Sequence, residues 1–227
     1  LASVWTESNW EKGETEFLSV LKINPNDALS HVYYAHLLTI LKKDEEARAQ
    51  TKIALDLDPM NPMVLGLSSM ALAFTGEYDL AIEVGEHALA LAPGNGAALS
   101  GLYVAYLLKG DYIESLDAWT SSLDIDKQIS TDIQNVFKQD GFMAAASLLA
   151  EAYLNTGQVR PFDLAMVYAA AGNSSSAMDW MEKAYEDQDA NIPYIGINLF
   201  SREPYKINEP RLIELLDKLH LPLPRND

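Results

Sequence analysis

Three prolines set the strongest limit on how this chain can fold: Pro25, Pro59 and Pro93 stand 34 residues apart, and each closes a similar run. The runs are Lys22-Ile23-Asn24-Pro25-Asn26, Asp56-Leu57-Asp58-Pro59-Met60 and Ala90-Leu91-Ala92-Pro93-Gly94. The same step relates Ala47 to Ala81, Ala54 to Ala88, and the turn glycine Gly76 to Gly110. A fixed period of this length marks a repeat architecture, in which one small unit is stacked on copies of itself.

Inside each period, two apolar stretches at helical spacing flank a polar turn, as in Ala28 to Leu41, Lys42 to Asp44 and Glu45 to Leu57. Each period therefore reads as a helical hairpin. The proline past the second helix stops it, because its ring clashes with the preceding turn and it offers no backbone donor. Asn26, Asp27 or Asn95 can cap the helix that follows. Ala35, Ser69, Ala47, Ala81, Ala54 and Ala88 are small where helix backbones must approach, and Leu37, Leu55, Leu67, Leu89 and Leu102 fill the space between. The expected fold is all-α: an α-α superhelix of antiparallel helix hairpins.

The expected organisation is a single domain over 1–227. It starts with a partial repeat (1–27), in which Glu7 to Leu21 reads as a second helix. Full repeats follow at 28–61, 62–95 and 96–129, then a degenerate repeat at 130–157 and a full one at 158–191. Residues 192–227 read as an irregular segment lying on the last hairpin, closed by a capping helix from Pro210 to Leu219 that covers the open end of the stack. The chain opens on Leu1 and enters a repeat partway, which suggests a piece of a longer protein.

The period, the small and proline positions, and the turns Gly76-Glu77-Tyr78-Asp79-Leu80-Ala81 and Gly110-Asp111-Tyr112 resemble the tetratricopeptide repeat. The last third is similar to something narrower. It carries Pro161-Phe162-Asp163-Leu164-Ala165-Met166-Val167-Tyr168-Ala169, then Ala177-Met178-Asp179-Trp180-Met181-Glu182-Lys183-Ala184-Tyr185-Glu186. Asn208-Glu209-Pro210-Arg211-Leu212 and Leu219-His220-Leu221-Pro222 follow. With Trp10-Glu11 and Phe17 near the start, these resemble the C-terminal repeat region of some bacterial adenylate cyclases, serine/threonine kinases and winged-helix regulators. That resemblance implies a regulatory appendage. Leu212, where Phe is usual, and the stretch Asn198 to Ile207 depart from its pattern.

Charge narrows the partners. With 16 Lys plus Arg against 33 Asp plus Glu, the net charge of -17 repels phosphate backbones and anionic lipid, so neither nucleic acid nor membrane is expected to bind this segment. There is no cysteine for a disulfide, thiolate ligand or nucleophile. The histidines, at 31, 36, 87 and 220, form no metal-ligand spacing, and no phosphate-binding loop or dinucleotide glycine fingerprint occurs. Ser174-Ser175-Ser176 reads as a helix cap rather than a nucleophile. No catalytic residue, metal or cofactor is expected.

The inner face of a hairpin stack, lined by each repeat's first helix, is the expected site. Stepping by the period gives Leu29, Val32, His36 and Thr39, then Met63, Gly66, Met70 and Ala73, then Ala97, Ser100, Val104 and Leu107. It is mainly apolar, adaptable at its methionines, and lacks the Lys, Arg and Asn that would grip an acidic C-terminus. The expected function is a non-catalytic interaction or sensor module that holds a peptide or protein in this groove: a separate partner, its own parent's effector domain, or a second copy. The alternative is a regulatory region that signals to a cyclase or kinase domain. The cytoplasm is the favoured compartment, with the periplasm second.

Overall fold

The computed structural model describes residues 9–197 and 205–223. Within them every regular element is helical. The chain packs as two units, Asn9–Ser122 and Leu123 onward.

The first unit contains α1 (Trp10–Ile23), α2 (Ala28–Ile40), α3 (Asp44–Leu57), α4 (Pro62–Phe74), α5 (Tyr78–Leu91), α6 (Gly96–Lys109) and α7 (Tyr112–Ser122). α2–α3, α4–α5 and α6–α7 are hairpins, and α4 packs against the helices of the hairpin before it as well as α5 and α6. Each of α1, α3 and α5 stops two residues ahead of a repeat proline. Their C-cap residues Asn24, Asp58 and Ala92 all take φ between -130 and -144 with ψ of 71 to 88, outside the helical region that a following proline disfavours for its neighbour. The hairpin turns need a left-handed residue, supplied by Gly76 (φ 90) and Gly110 (φ 94). In the first full repeat the same position is Lys42, held at φ 60.

Small residues sit where the period puts them: Ala35, Ala47, Ala54, Ala81 and Ala88 are fully buried, as is Ser69. Ser69 Oγ donates to the carbonyl of Ala81 across its hairpin at 2.8 Å, and in the next hairpin Ser115 Oγ donates to the carbonyl of Tyr103 at 2.9 Å. The pairs 69/81 and 103/115 are equivalent repeat positions, so the same bond is made from opposite helices. Asn61 and Asn95 cap α4 and α6 through their side-chain oxygens. Asn95 also donates from Nδ2 to the carbonyl of Pro62 at 2.5 Å, tying two successive hairpins together. Asp27 makes no such cap bond to α2; it accepts from Ser30 instead. Tyr103 stacks on Trp119 with ring centroids 4.7 Å apart, inside the third hairpin.

The second unit contains α8 (Lys127–Asp140), α9 (Phe142–Asn155), α10 (Pro161–Ala170), α11 (Ser174–Glu186), a 3-10 turn (Ile192–Gly196) and α12 (Pro210–Lys218). α8–α9 and α10–α11 are again hairpins. Gly141 joins the first pair at φ 86, ψ -178, a conformation reserved for glycine. The cap of α11 is Asn173, whose side chain accepts from the amide of Ser176; the serines expected to cap lie inside the first turn. Ile192, Tyr194, Ile195 and Ile197 are buried, with the 3-10 turn against α11. The departure expected over Asn198 to Ile207 lies mostly outside the described residues. α12 turns Leu212, Leu215 and Leu216 inward. Arg211 holds it to α11, reaching Asp179 at 2.7 Å, Glu182 at 3.5 Å and the carbonyl of Ser175 at 3.3 Å, while also pairing with Glu209 at 2.9 Å.

Candidate functional site

The first helices α2, α4 and α6 are apolar on nearly every side, because each is covered by its own hairpin partner and by neighbouring hairpins. What remains uncovered is a narrow strip. On α4 the solvent-reaching residues between the helix ends are Met63, Leu67 and Met70, spaced i, i+4, i+7 and so on one face. On α2 the strip is Leu29, Ser30 and Tyr33, and on α6 it includes Ala97 and Ser100. Met63 is 49% exposed and Tyr33 38%. Leu29 and Leu67 rest on the buried cluster of Ala28, Val32, Ala54 and Val64. No residue of α2 or α4 is charged.

The structure divides the residues expected to line the groove. Leu29, Met63 and Met70 reach the surface, with Ala97 and Ser100 beside them. Val32, His36, Thr39, Gly66, Ala73, Val104 and Leu107 are buried and pack within the stack, so they offer no surface to a partner. Two residues that belong to the strip, Tyr33 and Leu67, were placed elsewhere by sequence reasoning: Leu67 as core filler and Tyr33 nowhere. The available signal was the i+4 step from Leu29 and Met63.

The two histidines of α2 are structural. His36 Nε2 donates to the carbonyl of Leu67 at 3.0 Å, and burial lowers its pKa to about 4, so the ring is neutral at pH 7. His31 is pinned between the carbonyl of Pro25 at 2.9 Å and the side chain of Gln50 at 2.6 Å. Among the described residues, no group of three or more His, Cys, Asp or Glu could hold a metal ion. Likewise, no described helix is long and apolar enough to cross a membrane.

The second unit treats the equivalent position differently. Aligning Ala165, Ala177 and Ala184 with Ala35, Ala47 and Ala54 puts Asp163 at the position of Tyr33 and Leu67. Its side chain is only 13% exposed and pairs with Arg160. Burial raises its pKa to about 6; Arg160 opposes that rise and the carboxylate of Asp189 adds to it. The apolar strip of the first unit has no counterpart at this residue.

No protein-family model matches the chain, and neither does any curated protein. Among solved structures it is similar to the crystal structure of MamA, at 17% identity and a TM-score of 0.45, over 85% of this chain and 96% of that one. It is also similar to a chain in the structure of Naa15/Naa10 bound to HypK-THB, at 17% identity and a TM-score of 0.47. That match covers 96% of this chain but only 33% of the other, so this chain spans about a third of its length. The fold itself is an all-α stack of antiparallel hairpins, with a 34-residue period through the first unit.

Proposed function

We propose that the first unit is a non-catalytic docking module that receives a peptide or protein segment along the strip on α2, α4 and α6. The observation that carries this reading is the run Met63, Leu67, Met70: three large, flexible or branched apolar side chains left at the surface of a helix that is otherwise buried. Methionine adapts to varied partners, and stacked hairpins present such a strip as one extended binding surface. The two histidines of α2 are held in internal hydrogen bonds and are not presented on the strip, which supports a reading as a binding surface. The bound segment belongs to a separate protein or to an effector domain of the same polypeptide, as the resemblance to regulatory repeat regions implies.

The test uses Met63→Glu and Met70→Glu in the full chain, with circular dichroism to verify the fold. Loss of proteins that the unaltered chain recovers from lysate, at unchanged helicity, supports docking on this strip. Equal recovery by the altered and unaltered chains sinks it.

A further inference from the structure

We propose that the occupant of this strip is a cationic segment, in which two or three apolar anchors are flanked by lysine or arginine; the proposal rests on the docking reading above. The strip dictates the anchors. α2 and α4 carry no charge, so an ammonium or guanidinium laid on their open face would lose water without gaining a partner. The buried part of the segment must therefore be apolar.

The surroundings dictate the flanks. Residues 9–122 hold seven lysines and arginines against sixteen aspartates and glutamates. Most of those cations are already matched: Lys43 with Glu14, Arg48 with Glu45 and Glu77, Lys52 with Asp56, and Lys109 with Asp79 and Asp111. The excess charge is carboxylate, and two of these groups, Asp27 and Asp58, border the starts of α2 and α4 where the strip begins. A segment with basic flanks is drawn towards this field and an acidic one repelled, an effect expressed in association rate and specificity. Because the field acts over a screening length of about 8 Å at physiological ionic strength, binding must weaken with salt.

A displayed library of random peptides, selected on the full chain and counter-selected on a Met63→Gln, Met70→Gln double variant, which removes the apolar anchors without adding charge, tests this. Enrichment of Lys and Arg beside Leu, Ile or Met is expected. For a selected peptide, changing its basic residues to Gln should weaken binding by about tenfold or more, and raising salt should reproduce much of that loss. Selected peptides that are neutral or acidic, yet fail to bind the double variant, would overturn the cationic assignment and leave the docking strip standing. Peptides that bind the double variant equally well, or no enrichment over it, would overturn both.

Discussion

Ser69 and Gly101 bring α4 and α6 into backbone contact: a Cβ on Gly101 would lie 2.7 Å from the amide nitrogen of Met70 and 2.8 Å from the carbonyl carbon of Ser69. The serine hydroxyl is itself committed to the carbonyl of Ala81. Three helices thus meet at one small side chain: the Cβ would also press on the Ser69 hydroxyl, which its bond to Ala81 holds in place, and the other two neighbours are backbone. Gly101→Ala should destabilise the chain by about 1–2 kcal/mol, the overpacking cost exceeding the helix-propensity gain of alanine. Urea denaturation followed by circular dichroism reads the difference. A variant as stable as the parent would show that the two helices have room to part.

Lys42 adopts at φ 60 the conformation that Gly76 and Gly110 adopt in the later repeats. A left-handed residue with a Cβ is strained by about 1–2 kcal/mol. Lys42→Gly should therefore raise stability by about 1 kcal/mol, less the entropy glycine adds to the unfolded chain. Gly76→Ala and Gly110→Ala should lower it by a similar amount. Thermal melting of the three variants gives the comparison, and a fall for Lys42→Gly would locate the strain elsewhere.

The two units should respond oppositely to mild acid. His36 has a folded pKa lowered by burial from 6.5 to about 4, so its neutral form contributes stability above pH 6.5 that is lost as the pH falls towards 4. Between pH 7 and pH 5 that loss is about 2 kcal/mol. Asp163 has a folded pKa raised by burial from 3.8 to about 6, so its penalty is full above pH 6 and shrinks as the pH falls through 6. Over the same interval its release is on the order of 1 kcal/mol. Hydrogen exchange measured at both pH values should show α2 and α4 opening more easily at pH 5, and α10 less easily. His36→Gln, which can keep the donor to Leu67, should remove the first trend, and Asp163→Asn the second. Retention of either trend in its variant assigns it to another group.

Gly141 joins α8 to α9 in a region that a side chain enters only under strain. Gly141→Ala should cost on the order of 1–3 kcal/mol, although nothing lies within 4 Å of where its Cβ would stand. A calorimetric scan that finds no change would mean that the turn rearranges freely.

The period, the hairpins and the helix ends were legible because each rests on local chemistry repeated at fixed spacing: proline after Asn24, Asp58 and Ala92, and glycine at 76 and 110. The open face was only partly legible. In a helix such as ALSHVYYAHLLTI, apolar or buried on nearly every side, periodicity carries little information about which strip remains uncovered. That is decided by which neighbours pack on it, and the neighbours cover His36 while sparing Tyr33. The reciprocal bonds of Ser69 and Ser115 were hidden for a related reason: a hydroxyl on either helix satisfies the same crossing. Asn173 took the capping role from Ser174 because the helix starts one residue earlier than the serine run suggests.

Asn95 starts α6 with its oxygen while its amide holds the carbonyl of Pro62 in the preceding hairpin. One side chain therefore favours the third hairpin more when the second is already folded. Such a link raises the coupling between neighbours relative to the stability of each alone, so the stack melts as a cooperative block rather than fraying hairpin by hairpin. Asn95→Ser, which can keep the cap on α6 but is too short to hold the carbonyl of Pro62, should broaden the melting transition while leaving the packing of each hairpin in place.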